Sequence, residues 1–183
     1  NWLGDPTARL AGRLTLNPIS HIDPVGSVLV PAILALSSAP FLIGWAKPVP
    51  YNPYNLRHGK WGEALVAFAG PGTNILIAIG AAMLVRTLYP VLDPLLVQVA
   101  VYTIISNVAL AVINLIPIPP IDGSKIVRAL LPPGAALGYA RLEQATYALG
   151  PFGLIAVLLL VVYVFNDALG GLIRGVVGLL LGA

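Results

Sequence analysis

An all-α polytopic membrane protein is the fold class this sequence predicts, with about four transmembrane helices and a short strand or turn connection near residues 47–60. Three observations predict it. Hydrophobic residues make up 58% of the 183 and charged residues only 9%, against about 25% charged in an ordinary soluble domain. The mean hydropathy is +0.90, which leaves too little polar side chain to cover a globule. The apolar residues also fall in runs near the roughly 20 that a membrane-crossing helix needs.

The elements follow in order, within one membrane domain. Residues 1–24 read as a juxtamembrane segment. The first apolar run, 25–46, is interrupted by Pro31 and Pro40 and is expected to be kinked or partly re-entrant. The connection "KPVPYNPYNLRHGKWGE" (47–63) is too rich in proline for helix, and its aromatic and basic residues suit the headgroup level. The second span, 64–88, contains "AGPGTN" (69–74). There Pro71 removes a donor, while Gly70 and Gly72 permit close helix approach. The expectation is a helix break or a tight packing site, with the Asn74 amide available to an unpaired group. The third span is 95–116. The fourth, 149–165, is interrupted by Asn166 and Asp167, and the glycine-rich segment 168–183 is expected to lie at the interface or to form a short further span.

The net charge is +3 and the pI about 9.4, yet the basic residues are scattered among apolar segments. That excludes a nucleic-acid footprint. If the first three runs all cross, Lys47, Arg57, Lys60, Lys125, Arg128 and Arg141 share one side and Arg9, Arg13 and Arg86 the other. The positive-inside rule then directs the 118–148 connection to the cytoplasm. Cysteine is absent, which removes disulfides, thiolate metal sites and cysteine nucleophiles together.

The stretch "INLIPIPPIDGSK" (113–125) carries the chemistry. Pro117, Pro119 and Pro120 end the third helix and keep the chain extended, so Asp122 follows a stiff, non-helical tether. Gly123 gives room beside it. Two readings stay open on the residues alone. Asp122 caps a helix beginning at "GSKIVRALL", or it is an ionisable group beside an apolar bundle and marks a site, as a carboxylate ligand for a cation does.

"NLIPIPPIDG" (114–123) resembles the N-x-x-P-x-P-x-x-D-G signature of site-2 proteases, the intramembrane zinc metalloproteases. "RLTLNPISHIDPVGSVLVP" (13–31), "GWAKPVPYNP" (44–53) and "AGPGTN" are similar to further marks of the short branch of that family, in the same order. The resemblance implies Zn2+ held by two histidines of an H-E-x-x-H helix and by the aspartate of the D-G motif, with the glutamate as general base. It makes Asp122 the third metal ligand. Asn74, Asn114 and His21 become supporting or substrate-binding residues near the cleft. The implied partners are the bilayer and a transmembrane protein substrate, and the implied location is a prokaryotic plasma membrane.

The chain departs from that pattern in one respect. Its histidines are His21 and His58, and no H-E-x-x-H occurs. In the short branch that helix precedes a segment resembling "NWLGDPTARLAGRLTLNP", so the chain is expected to be an N-terminally truncated member that lacks two ligands and the catalytic glutamate and is inactive alone. His21 reads more simply as a histidine bonding loop carbonyls, and His58, between Arg57 and Lys60, as a solvated interfacial residue. The alternative class is an ion-coupled membrane transporter, whose sites also use broken helices and a carboxylate at membrane depth; a non-catalytic membrane protein is the third.

Overall fold

The structure is a computed structural model that describes residues 2–15, 17–38 and 44–182. The described residues are helices joined by turns. Among the described residues seven α-helices run in order: α1 (Thr7–Leu10), α2 (Val30–Leu36), α3 (Lys60–Leu88), α4 (Pro94–Asn114), α5 (Asp122–Leu130), α6 (Pro133–Ala148) and α7 (Pro151–Leu181). Lys60–Leu88, Pro94–Asn114 and Tyr163–Leu181 are long and apolar enough to cross a membrane, and α6 with the start of α7 forms a pair bent by 116° that makes a fourth if taken as one span. The chain is an all-α polytopic membrane protein. It divides into two compact units, residues up to Gly62 and residues from Glu63.

The first unit is short turns tied together by polar side chains. Asn17 caps a 3₁₀ turn at Pro18–His21 and Asn52 another at Pro53–Asn55. Asp23 caps a π-helical turn, Pro24–Leu29, by accepting from the Val25 and Gly26 amides, and that turn runs on into α2. The apolar helix Pro24–Leu36 is 13 residues or about 20 Å long, short of the roughly 30 Å hydrocarbon core; residues 39–43 of the expected first span lie outside the described residues.

The 47–60 connection is turn and extended chain, with no ladder among the described residues. One edge of it is occupied, because the Trp45 amide donates to Gly26 O and the Lys47 amide to His21 O. On the alternating positions Pro48 and Pro50 have no N–H to give, so that edge cannot build a regular ladder. Arg13 is buried and donates to the carbonyls of Ser20 and Lys47. Asp5, also buried, gathers the Thr7 hydroxyl, the Thr7 and Asn52 amides and the Asn55 side chain. Those bonds, the Thr7 hydroxyl foremost, hold its pKa down to about 2.

The second unit is packed by apolar helix faces. Ala78 and Ala82 of α3 meet Ile104 and Val108 of α4, and Ile173, Val176 and Val177 of α7 close over them. Alanines one turn apart let the helices approach closely. α3 continues through Pro71: the proline ring is fully buried and Ala67, whose carbonyl it faces, is 3% exposed. The helix is unbroken there, yet the glycines admit no neighbouring helix: a Cβ at Gly70 would meet nothing within 4 Å and one at Gly72 only Phe68 of the same helix. α7 likewise continues through Asn166 and Asp167, where the sequence suggests an interruption. Its 31 residues span about 46 Å, longer than a hydrocarbon core.

Candidate functional site

α4 ends at Asn114, and its last amides close on Ala111 and Ile113. The loop 115–121 then carries three prolines, with the Pro119–Pro120 bond cis. Its remaining amides find local carbonyls: Ile118 donates to Ile116 O at 2.9 Å and Ile121 to Ile118 O at 2.9 Å. From α6 the Tyr139 hydroxyl donates to Pro117 O at 2.8 Å, and the Ser124 hydroxyl donates to Ile121 O at 2.7 Å. The loop is irregular, yet each of its amides has a carbonyl partner, as backbone donors away from water require.

Gly123 has a sharper reason than the room expected beside the carboxylate. A Cβ there would lie 2.3 Å from Leu115 O and 2.5 Å from Ile116 O. The end of α4 rests directly on the second residue of α5, and only glycine allows that approach. This contact fixes where α5 begins.

Asp122 is the first residue of α5, one position inside the cap residue Ile121, which makes no side-chain cap bond. The carboxylate pairs with Lys125 Nζ at 3.3 Å, and the side chain is 37% exposed. Asp122 therefore faces outward on a stiff mount and accepts from no backbone amide among the described residues. Asn114 stands at the other end of the same loop. Asn74 lies on α3 beside Ile75, which with Leu115, Ala78, Val112 and Val176 lines an apolar cavity of about 260 Å³. Neither asparagine side chain makes a hydrogen bond among the described residues, and both are half-buried. His21 belongs to the first unit, where its Nε2 lies 3.0 Å from Thr15 O; His58 is exposed with φ +69°.

One cluster escaped the sequence. Arg128 of α5 sits between two carboxylates, its Nη2 on Glu63 of α3 and its Nη1 2.8 Å from Glu143 of α6. Tyr147 of α6 lies within electrostatic reach of Asp122, Lys125 and Glu143. The charges come from segments far apart in sequence, and no local pattern announces their meeting.

Asp122 suits a metal in chemistry: a hard oxygen donor, partly exposed and rigidly carried. It is a single donor. Among the described residues no three of His, Cys, Asp and Glu gather where a metal could be held, whereas a zinc site takes three or four protein ligands. These residues fit one position of a coordination shell and do not complete it.

The sequence model of peptidase family M50 matches residues 90–160. The chain is 38% identical over 149 residues to a Bacillus subtilis protein named "Putative zinc metalloprotease YwhC", covering 78% of this chain and 63% of that one. It is 27% identical over 164 residues to "Putative zinc metalloprotease Rip2" of Mycolicibacterium smegmatis, covering 89% and 59%. With "Putative zinc metalloprotease Rip3" of Mycobacterium tuberculosis it shares 30% over 118 residues, covering 61% and 28%. The chain thus spans about three-fifths of the length of the first two relatives. No solved structure matches it significantly.

Proposed function

This chain belongs to peptidase family M50, and from that footing we propose that the protein carrying it is a site-2-type zinc endopeptidase that cleaves peptide bonds in or beside the transmembrane helices of membrane-protein substrates. The observation that carries this reading is the placement of Asp122: a partly exposed carboxylate at the start of α5, directly after a non-helical loop whose amides are all paired at the end of an apolar helix. A carboxylate that accepts from no backbone amide among the described residues and keeps part of its surface open is a donor available to a cation.

Asp122 would supply one oxygen ligand to zinc, and zinc, when bound, lowers the pKa of water and polarises a carbonyl. The other ligands and the general base are those of an H-E-x-x-H helix, which these 183 residues do not contain, so the chain by itself is expected not to hydrolyse anything. What it contributes is position. The loop holds Asp122 still, and the amides of Asn74 and Asn114 are suited to a substrate backbone that has lost its helical hydrogen bonds. A helical substrate hides its carbonyls, so it must unwind first, and side-chain amides replace the bonds it gives up. The cationic connection residues favour an active site toward the cytoplasmic face of a prokaryotic plasma membrane.

The test is cleavage of a single-span reporter helix in liposomes by the complete gene product. Cleavage is expected to stop on zinc chelation and to return when zinc is restored. An intact reporter in the presence of zinc-loaded protein, or cleavage indifferent to chelation, contradicts the reading.

A further inference from the structure

We propose that Arg128 is a positioning residue for Asp122: its guanidinium, held between Glu63 and Glu143, fixes the tilt of α5 and so the place of the carboxylate at the other end of that helix. This rests on the reading of Asp122 as a metal carboxylate.

α5 is nine residues long, too short to be stable by itself, so its direction is set by what grips it. The N-terminal grip is the backbone contact of Gly123 with Leu115 and Ile116. The C-terminal grip is Arg128, which joins three helices through one planar group. The side chains of Arg128, Glu63 and Glu143 are 22%, 13% and 10% exposed. At that burial a guanidinium fork bridging two carboxylates is directional in a way an ammonium is not. Without the cation, two poorly solvated carboxylates repel and the helix end loses its anchor on both sides.

The lever is long enough to matter. Six residues of helix separate Arg128 from Asp122, about 9 Å. A tilt of about 10° at the Arg128 end then moves the carboxylate by about 1.5 Å, beyond the roughly 0.5 Å within which a functional group must be held. Partners that orient a ligand without touching the metal commonly change metal affinity about 10- to 100-fold when removed.

The experiment uses the absence of cysteine from these residues. In the complete gene product in liposomes, a nitroxide on Asp122→Cys reports the motion of this position by its electron paramagnetic resonance spectrum. A restricted spectrum is expected with Arg128 present, a mobile component in Arg128→Ala, and a smaller one in Arg128→Lys. In unlabelled protein, Arg128→Ala is expected to weaken zinc binding about 10- to 100-fold. A triple variant, Arg128→Met with Glu63→Gln and Glu143→Gln, leaves no charge in this cluster and is expected to recover thermal stability while the label stays mobile and zinc stays weak. An unchanged spectrum in Arg128→Ala overturns the inference, as does recovery of label order and zinc affinity together with stability in the triple variant. Failure of the wild-type product to bind zinc overturns the peptidase reading instead, and is told apart because the label spectrum needs no metal.

Discussion

Two proline-bearing segments of the second unit behave in opposite ways. In α3, Pro71 lies inside a 29-residue helix that does not stop for it. After α4, Pro117, Pro119 and Pro120 replace helix with a loop. Pro71 deletes one donor, and the turn it weakens is covered by protein, since the ring is fully buried and Ala67 is 3% exposed. The three later prolines delete three donors within four positions, and the amides left over have partners waiting: Ile118 on Ile116 O and Ile121 on Ile118 O, while Tyr139 from α6 serves the Pro117 carbonyl. Proline does not decide between kinked helix and loop; the partners available to the freed backbone groups do. The first segment keeps an asparagine on a helix wall. The second builds a stand for a carboxylate.

The glycines of the two segments give the largest expected contrast. Gly123→Ala drives a methyl into the Leu115 carbonyl and is expected to cost about 3 kcal/mol, or to prevent folding, as measured by thermal unfolding in detergent. Gly70→Ala meets nothing within 4 Å and should leave stability unchanged or raise it by less than about 1 kcal/mol. Equal effects at the two sites would break the comparison. Tyr139→Phe removes the bond to Pro117 O and is expected to cost about 1 kcal/mol, with faster amide exchange at Ile118 and Ile121; unchanged exchange would mean that the loop holds itself. Pro71→Ala is expected to be mild as well. Restoring the missing donor to an already covered turn should shift stability by about 1 kcal/mol or less, and a large gain would show that the turn was strained.

The first unit offers a pH test of a different device. The folded pKa of Asp5 is about 2, below its ordinary value of 3.8. A depressed carboxylate binds fewer protons folded than unfolded, so its stabilising contribution is fully present above about pH 4 and is lost as pH falls through about 2. The Asn52 amide, which donates to Asp5 Oδ2 at 2.8 Å, should titrate with a midpoint near 2 by chemical shift, and the step should vanish in Asp5→Asn. A midpoint near 3.8 would remove Asp5 as the organiser of those turns.

Much of this was legible in the sequence because its physics is local. Run length and composition gave the helical membrane class, and proline spacing placed the end of α4 within two residues of Asn114. The Asp122–Gly123 pair stood out because a lone carboxylate after three prolines needs a reason. The rest depended on what lies opposite in space. Pro71 was compatible with a break or a packing site, and the helix runs on through it with the ring buried. Asn166 and Asp167 suggested an interruption that the run of apolar residues on either side overrides in α7. Arg128 counted as one more basic residue beside the membrane, whereas it is enclosed by Glu63 and Glu143. Gly123 is distinctive in the sequence, and the group it makes room for is the backbone at the end of α4 and not the carboxylate.

The most direct measurement of the central claim is the zinc content of the complete gene product with Asp122 intact and with Asp122→Ala, both purified from membranes in a folded state. About one zinc per polypeptide is expected for the first, and a loss of at least about tenfold in affinity for the second. Full retention of zinc by Asp122→Ala would contradict the account and leave the carboxylate with Lys125 as its working partner.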